Sequence, residues 1–266
     1  MAQTSDTLDC LPDFDSYTSV LDSWVTYQKD LIFSSSSDED SQEKRVQMMK
    51  ELIEAADQAD LILKNMEDTF GIILSSKQKH ALDDIRPTSH HYDAVINAWY
   101  NVASAYQEHK IRRNKESEGE NGGNFVYHRG VPQRAQLRLE AMENISHSNY
   151  LTYTNVRPSI DTYNRVIEIW GMMRDKEHHF ASMAQTIFDR LAPFNNTGST
   201  EGMVQPNSDT YRIMIRTWCQ STQKGAAFNA TGFLMKMQSL LIDGIEEMEP
   251  TVEDYAMVLE AWAKAE

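Results

Sequence analysis

Four histidines stand in two adjacent pairs, His90/His91 and His178/His179, and by type they could ligate a metal or move a proton. Neighbours in sequence point to different faces of a helix, whereas a helical metal pair needs i, i+4 spacing, so neither pair makes a site. Cys10 and Cys219 are the only thiols, too few for a four-ligand zinc centre or a disulfide framework, and they suit a reducing compartment. Asp38, Glu39 and Asp40 lack the glycine and terminal glutamate of a calcium loop. A Gly-rich phosphate loop, a nucleophile elbow and a Cys/His dyad in a recognisable context are missing too. The sequence predicts no metal, no cofactor, no small-molecule substrate and no catalytic residue, hence a chain that is not itself an enzyme.

Charge narrows the field further. A formal net charge of −15 argues against a generic nucleic-acid binder, because phosphate contacts need lysine and arginine. The acid is unevenly placed: residues 1–85 hold 18 carboxylates against 7 cations, while residues 86–150 hold 7 against 8. The basic run Lys110, Arg112, Arg113 and Lys115 leads straight into Glu116, Glu118 and Glu120 and reads as loop charge that neutralises itself. With 41% apolar residues the chain can build a sizeable core. No run of eighteen apolar residues is present, which predicts no membrane span, and Met1 to Cys10 show neither a secretory apolar stretch nor an Arg-rich presequence.

The positioning elements emerge from a repeated spacing. Pro-x4-Tyr-x6-Trp occurs five times and uses all 5 tryptophans: Pro12/Tyr17/Trp24, Pro87/Tyr92/Trp99, Pro158/Tyr163/Trp170, Pro206/Tyr211/Trp218 and Pro250/Tyr255/Trp262. After each proline comes a side chain able to cap a first helical turn, namely Asp13, Thr88, Ser159, Asn207 or Thr251. From each tyrosine, apolar residues fall at i+3, i+4 and i+7, a helical stripe rather than a strand alternation. That stripe predicts structural, core-facing tyrosines and tryptophans rather than a base-stacking platform. A second pattern, Ala-x3-apolar-x2-Met/Leu, follows four of these helices: Ala59/Leu63/Met66, Ala135/Leu139/Met142, Ala184/Phe188/Leu191 and Ala230/Leu234/Met237. Each unit is thus a hairpin of helix A and helix B that buries its stripes only by stacking on its neighbours.

The segments "RPSIDTYNRVIEIW" (157–170) and "QPNSDTYRIMIRTW" (205–218), with the Ala...Leu-x2-Met stripe of helix B, resemble the pentatricopeptide-repeat family. "RPTSHHYDAVINAW", "EPTVEDYAMVLEAW" and "LPDFDSYTSVLDSW" carry the same pattern less fully. The tetratricopeptide order Trp-x2-Leu-Gly-x2-Tyr is not seen. The resemblance implies an all-α, right-handed superhelical solenoid of helix-turn-helix hairpins running over 1–266, with units 12–86, 87–157, 158–205, 206–249 and 250–266. Tyrosine-to-tyrosine distances of 75, 71, 48 and 44 exceed the roughly 35 residues of that repeat class. Polar segments near 34–43, 115–124 and 195–202 account for the excess and are expected to be mobile loops. The chain stops at Glu266 just after the fifth A helix, from which we expect a fragment, or a cap supplied by a partner.

The resemblance also implies a function, single-stranded RNA binding in organellar RNA processing, stability or translation, and a location in the mitochondrion or plastid. In that family one base is read by a few side chains per repeat. Carried over, the pairs are Asp93 with Ser159, Asn164 with Asn207, and Arg212 with Thr251; Thr18 would pair with Thr88, and Ala256 has no partner. Only Asn164 with Asn207 is a usual family combination, and by resemblance it favours a pyrimidine. Arg165 and Arg216, with Arg212, lie in A helices where they could meet phosphate. Each of these residues also has a plain structural use, as a helix cap or a solvated first-turn side chain. Two further readings stay open: a protein-interaction scaffold without RNA binding, and the RNA-binding arm of a larger RNA-processing enzyme.

Overall fold

The computed structural model describes residues 12–34, 42–75, 86–116, 130–147, 156–173, 179–191 and 204–265. Among the described residues all regular structure is helical, with no strand. In chain order the helices are α1 (Phe14–Ser34), α2 (Gln42–Ser75), α3 (Ser89–Glu116), α4 (Val131–His147), α5 (Ile160–Met172), α6 (Phe180–Phe188), α7 (Ser208–Cys219), α8 (Ala226–Ile242) and α9 (Val252–Ala265), with a 3-10 turn at Glu246–Met248. The five proline-led segments are α1, α3, α5, α7 and α9, and the alanine-stripe segments are α2, α4, α6 and α8. Of the segments expected to be loops, residues 35–41, 117–124 and 195–202 lie outside the described residues.

Local chemistry explains the starts of the five proline-led helices. Ser159 and Asn207 cap α5 and α7 through full capping boxes, each side chain accepting from the N3 backbone while Thr162 or Thr210 returns a bond to the cap backbone. Asp13 accepts from the Ser16 N–H at 2.9 Å. Thr251 and Asp254 bond reciprocally, Thr251 N–H to Asp254 Oδ2 at 2.8 Å and Asp254 N–H to Thr251 Oγ1 at 3.3 Å. Thr88 uses a histidine in the same role: its N–H donates to His91 Nδ1 at 3.1 Å. Capping satisfies donors that a first turn otherwise leaves orphaned, and each cap contributes about 1 kcal/mol.

The chain forms two compact units, residues 1–105 with 140–157, and residues 106–139 with 158–266. In the first, α2 packs along α1, burying Leu21, Leu52, Ala59, Leu63 and Met66. Gln28 is buried there, donating to the Leu52 carbonyl at 2.8 Å and accepting from Asn101 Nδ2 at 3.2 Å. In the second, α5 packs on α6 and α7, α7 on α8, and α9 on α7 and α8. Its core holds Val166, Ile167, Trp170, Ala184, Ile187, Met214, Ile215, Ala230 and Met237. Tyr92, Tyr163, Tyr211, Trp99, Trp170 and Trp218 are all buried, so the stripe places these aromatics in the core, whereas Trp24 is half-buried and Tyr255 and Trp262 are exposed, against the expectation. Gly171 marks a close helix approach: a Cβ there would lie only 2.4 Å from Thr217 Oγ1.

Candidate nucleic-acid interface

Of the candidate residues, Asp93, Asn164 and Arg212 directly follow the A-helix tyrosines, as Thr18 does, Ser159, Asn207 and Thr251 are caps, and Arg216 lies in the last turn of α7. At each junction inside a unit, the post-tyrosine side chain reaches into the cap of the next A helix. Thr18 on α1 meets His91, the capping partner of Thr88, at 3.0 Å from Nε2. On α5, Asn164 Nδ2 donates to Asn207 Oδ1 at 3.2 Å. On α7, Arg212 donates from Nη2 to the Glu249 carbonyl at 3.3 Å and lies 3.6 Å from the Asp254 carboxylate that caps α9. Thus Asn164 and Asn207 are brought into direct contact, and Arg212 contacts the Thr251–Asp254 cap. Asp93 belongs to the first unit and Ser159 to the second.

Asn207 Oδ1 is a crowded acceptor, taking bonds from Thr210 N–H at 3.0 Å, Thr210 Oγ1 at 2.8 Å and Asn164. Asn164 is buried, and its Oδ1 has no hydrogen-bond partner among the described residues. A buried unpaired acceptor carries a desolvation penalty of about 1–3 kcal/mol, which a donor brought from outside would relieve. The cations are less available. Arg212 also pairs with Asp209 at 3.3 Å, and Arg216 Nη1 faces Glu168 at 3.9 Å. Arg165 is exposed on α5, Ser159 is exposed at its cap, and Asp93 is half-buried.

The first junction is built on a neutral histidine. Since His91 Nδ1 accepts from the Thr88 N–H, its proton sits on Nε2 and points to Thr18 Oγ1, which in turn donates to the Phe14 carbonyl at 2.8 Å. Burial, reinforced by the neighbouring His90, pushes His91 down to about 4 from 6.5. The Phe14 ring meets it edge-on at 4.9 Å. No protein family's sequence model matches the chain, and no curated protein or solved structure is similar to it. The repeat is therefore read from this chain's own residues.

A second set of ties escaped sequence reasoning. Trp170 Nε1 donates to Gln136 at 3.0 Å, Trp218 Nε1 to Gln185 at 3.2 Å, and Trp262 Nε1 to Thr231 at 2.9 Å. In each case the acceptor directly follows the helix-B alanine of the preceding hairpin: Ala135, Ala184 or Ala230. The signal was present as a polar residue after each of those alanines. A cavity of about 630 Å³ in the second unit, walled by Phe188, Tyr211, Phe228 and Phe233, was equally invisible, because α6, α7 and α8 all contribute to it. Burial pushes the Cys219 thiol up to about 11, so it is neither thiolate nor nucleophile near neutral pH. Among the described residues no group of three or more metal-ligating side chains occurs, and no helix is long and apolar enough to cross a membrane.

Proposed function

We propose that this chain is a pentatricopeptide-like helical-repeat protein that binds single-stranded RNA along a ridge of A-helix first turns. The observation that carries the reading is the Asn164–Asn207 contact: two amides from successive A helices meet at one point, and one of them keeps an unpaired acceptor. An amide both donates and accepts at a base's Watson–Crick edge, so a rotation of Asn164 exchanges its bond to Asn207 for bonds to a pyrimidine. Repetition of the same tie at Thr18 and Arg212 supports successive hairpins stacked in register, the arrangement of a superhelical solenoid. Organellar RNA processing, stability or translation is the setting the resemblance implies. Fluorescence anisotropy with pyrimidine and purine single-stranded oligonucleotides tests the idea. Asn164→Ala with Asn207→Ala should change the preference between them more than total affinity, and affinity should fall steeply with salt. Failure to bind any single-stranded pool at low salt would overturn it.

A protein-interaction scaffold is the second reading, and a specific observation favours it. Arg212 and Arg216 are engaged by Asp209, Asp254 and Glu168, so phosphate would have to displace carboxylates. If a partner stays bound after ribonuclease treatment while RNA binding is lacking, the scaffold reading replaces the first.

A further inference from the structure

The cavity between α6, α7 and α8 is lined by polar groups of two kinds, those already engaged and those left open. Gln185 is used twice: its Oε1 accepts from Trp218 Nε1 at 3.2 Å, and its Nε2 donates to Asp189 Oδ1 at 2.7 Å. Tyr211 is different. It lines the cavity and is only 3% exposed, yet its hydroxyl has no hydrogen-bond partner among the described residues. Other tyrosine hydroxyls are engaged: Tyr92 donates to Glu67 at 2.7 Å, and Tyr255 accepts from Gln238 at 2.9 Å. A buried phenol ordinarily finds a partner, because an unmade bond forfeits the one it had with water. Burial raises the Tyr211 hydroxyl above its ordinary range, so it stays protonated and offers a donor. Asn229 and Lys236 line the cavity from one face of α8, seven residues apart, and their side chains also lack partners among the described residues.

The apolar walls suit a flat guest. Phe188 and Phe233 meet at 5.0 Å and 90°, Phe188 and Tyr211 at 5.6 Å and 70°, Tyr211 and Phe233 at 6.2 Å and 62°, so no ring lies flat on another. Phe228 lines the same space and is 71% exposed. Gly232 adds no side chain, and a Cβ there would meet nothing within 4 Å. The volume of about 630 Å³ lies in the range of small-molecule pockets, about 300–1,000 Å³. Two charged residues line it: Asp189 already holds an amide donor, whereas Lys236 has no carboxylate paired with it. One open cation beside uncharged donors suits a guest with a single negative charge.

We propose that this cavity binds a small planar aromatic monocarboxylate, its ring against Phe188, Phe228 and Phe233 and its oxygens accepting from Tyr211, Asn229 and Lys236. Burial of the ring supplies affinity, and the open donors select the anion. None of the residues carried over for base reading lines the cavity, so the RNA reading does not enter this inference.

The test uses the whole 266-residue chain and 6-hydroxynaphthalene-2-carboxylate, which carries oxygen at both ends of a flat ring. Calorimetric titration should show saturable binding to one site, at least about tenfold tighter than the corresponding ring bearing a methylammonium group and about threefold tighter than its carboxamide. Tyr211→Phe should weaken binding about three- to tenfold and leave the unfolding midpoint unchanged, since the lost hydroxyl has no partner within the chain. Lys236→Gln should remove the preference for carboxylate over carboxamide. Gly232→Leu fills the open space and favours the helix, so it should abolish saturable binding without loss of stability. Equal or tighter binding of the ammonium compound or of a nucleoside monophosphate overturns the proposal, as does unsaturable adsorption. So does full binding by Gly232→Leu, or a Tyr211→Phe chain that binds as before or unfolds more easily.

Discussion

The α1/α3 junction and the α5/α7 junction solve one problem with different chemistry. At both, the residue after the tyrosine spans to the cap of the following A helix. The first uses a hydroxyl and a buried imidazole, Thr18 and His91; the second uses two amides, Asn164 and Asn207. The imidazole junction is fully satisfied, since both ring nitrogens are engaged and the ring is packed by Phe14. The amide junction leaves one acceptor unpaired. The requirement common to both is a hydrogen bond between successive A helices at a fixed place, and the residue type is free to vary. A satisfied junction has no free group, whereas the unsatisfied one leaves an acceptor open.

The sharpest way to break the comparison is to remove the imidazole. His91→Ala deletes a fully buried aromatic ring and orphans the Thr88 N–H, so we expect a loss of about 3–4 kcal/mol in the first unit. Hydrogen exchange of α1 and α3 amides should report it as early opening there, with α5 and α7 protected as before. Loss confined to the second unit would show that the two junctions are not equivalent ties.

Acid separates the junctions almost as strongly. His91 is held near 4 when folded against 6.5 when unfolded, so the unfolded chain binds the extra proton between those values. Its contribution is whole above pH 6.5 and is lost as pH falls towards 4, on the order of 3 kcal/mol in all. The amide junction has nothing to titrate. Denaturant unfolding followed by α3 exchange from pH 7 to pH 4 should therefore slope in the first unit, and His91→Gln should flatten that slope. A slope unchanged in His91→Gln would show that His91 is not the group whose protonation destabilises the first unit.

What the sequence made legible follows the range of each interaction. Helix starts, caps and apolar stripes depend on residues within one turn or two, and Pro12, Pro87, Pro158, Pro206 and Pro250 with their caps marked them correctly. Burial of Tyr163, Trp170, Tyr211 and Trp218 followed from the same local pattern. The ties between hairpins did not, because their partners lie 31 to 73 residues apart at varying separations. Thr18–His91 and Trp262–Thr231 become visible only once the helices are side by side. The contrast between a neutral, saturated His91 and an unsaturated Asn164 was hidden for the same reason: an isolated histidine or asparagine in a sequence carries no record of its burial.

Gly171 offers a smaller, more local perturbation of the amide side. A methyl group at this position meets Thr217 Oγ1, so Gly171→Ala should force α5 and α7 apart and cost about 2 kcal/mol. Thr217→Ala removes the obstruction, so the double variant should be more stable than Gly171→Ala alone, a coupling that chemical denaturation of the four-member cycle measures. Additive losses would place the cost outside that approach, since alanine is the better helix former.

The smallest expected change is the most informative about function. Asn164→Ala removes a hydrogen bond to Asn207 but also removes the unpaired buried acceptor, two effects of opposite sign. The net loss should be about 1 kcal/mol or less, well below that of His91→Ala although both residues hold the same kind of tie. A near-neutral change in stability with an altered base preference separates the two roles, because a purely structural asparagine gives up stability and leaves binding unmoved. Should Asn164→Ala instead destabilise the second unit as severely as His91→Ala does the first, the acceptor is satisfied in solution. The amide junction would then be as closed as the imidazole one, and the ridge would hold no free group at Asn164 for a base to meet.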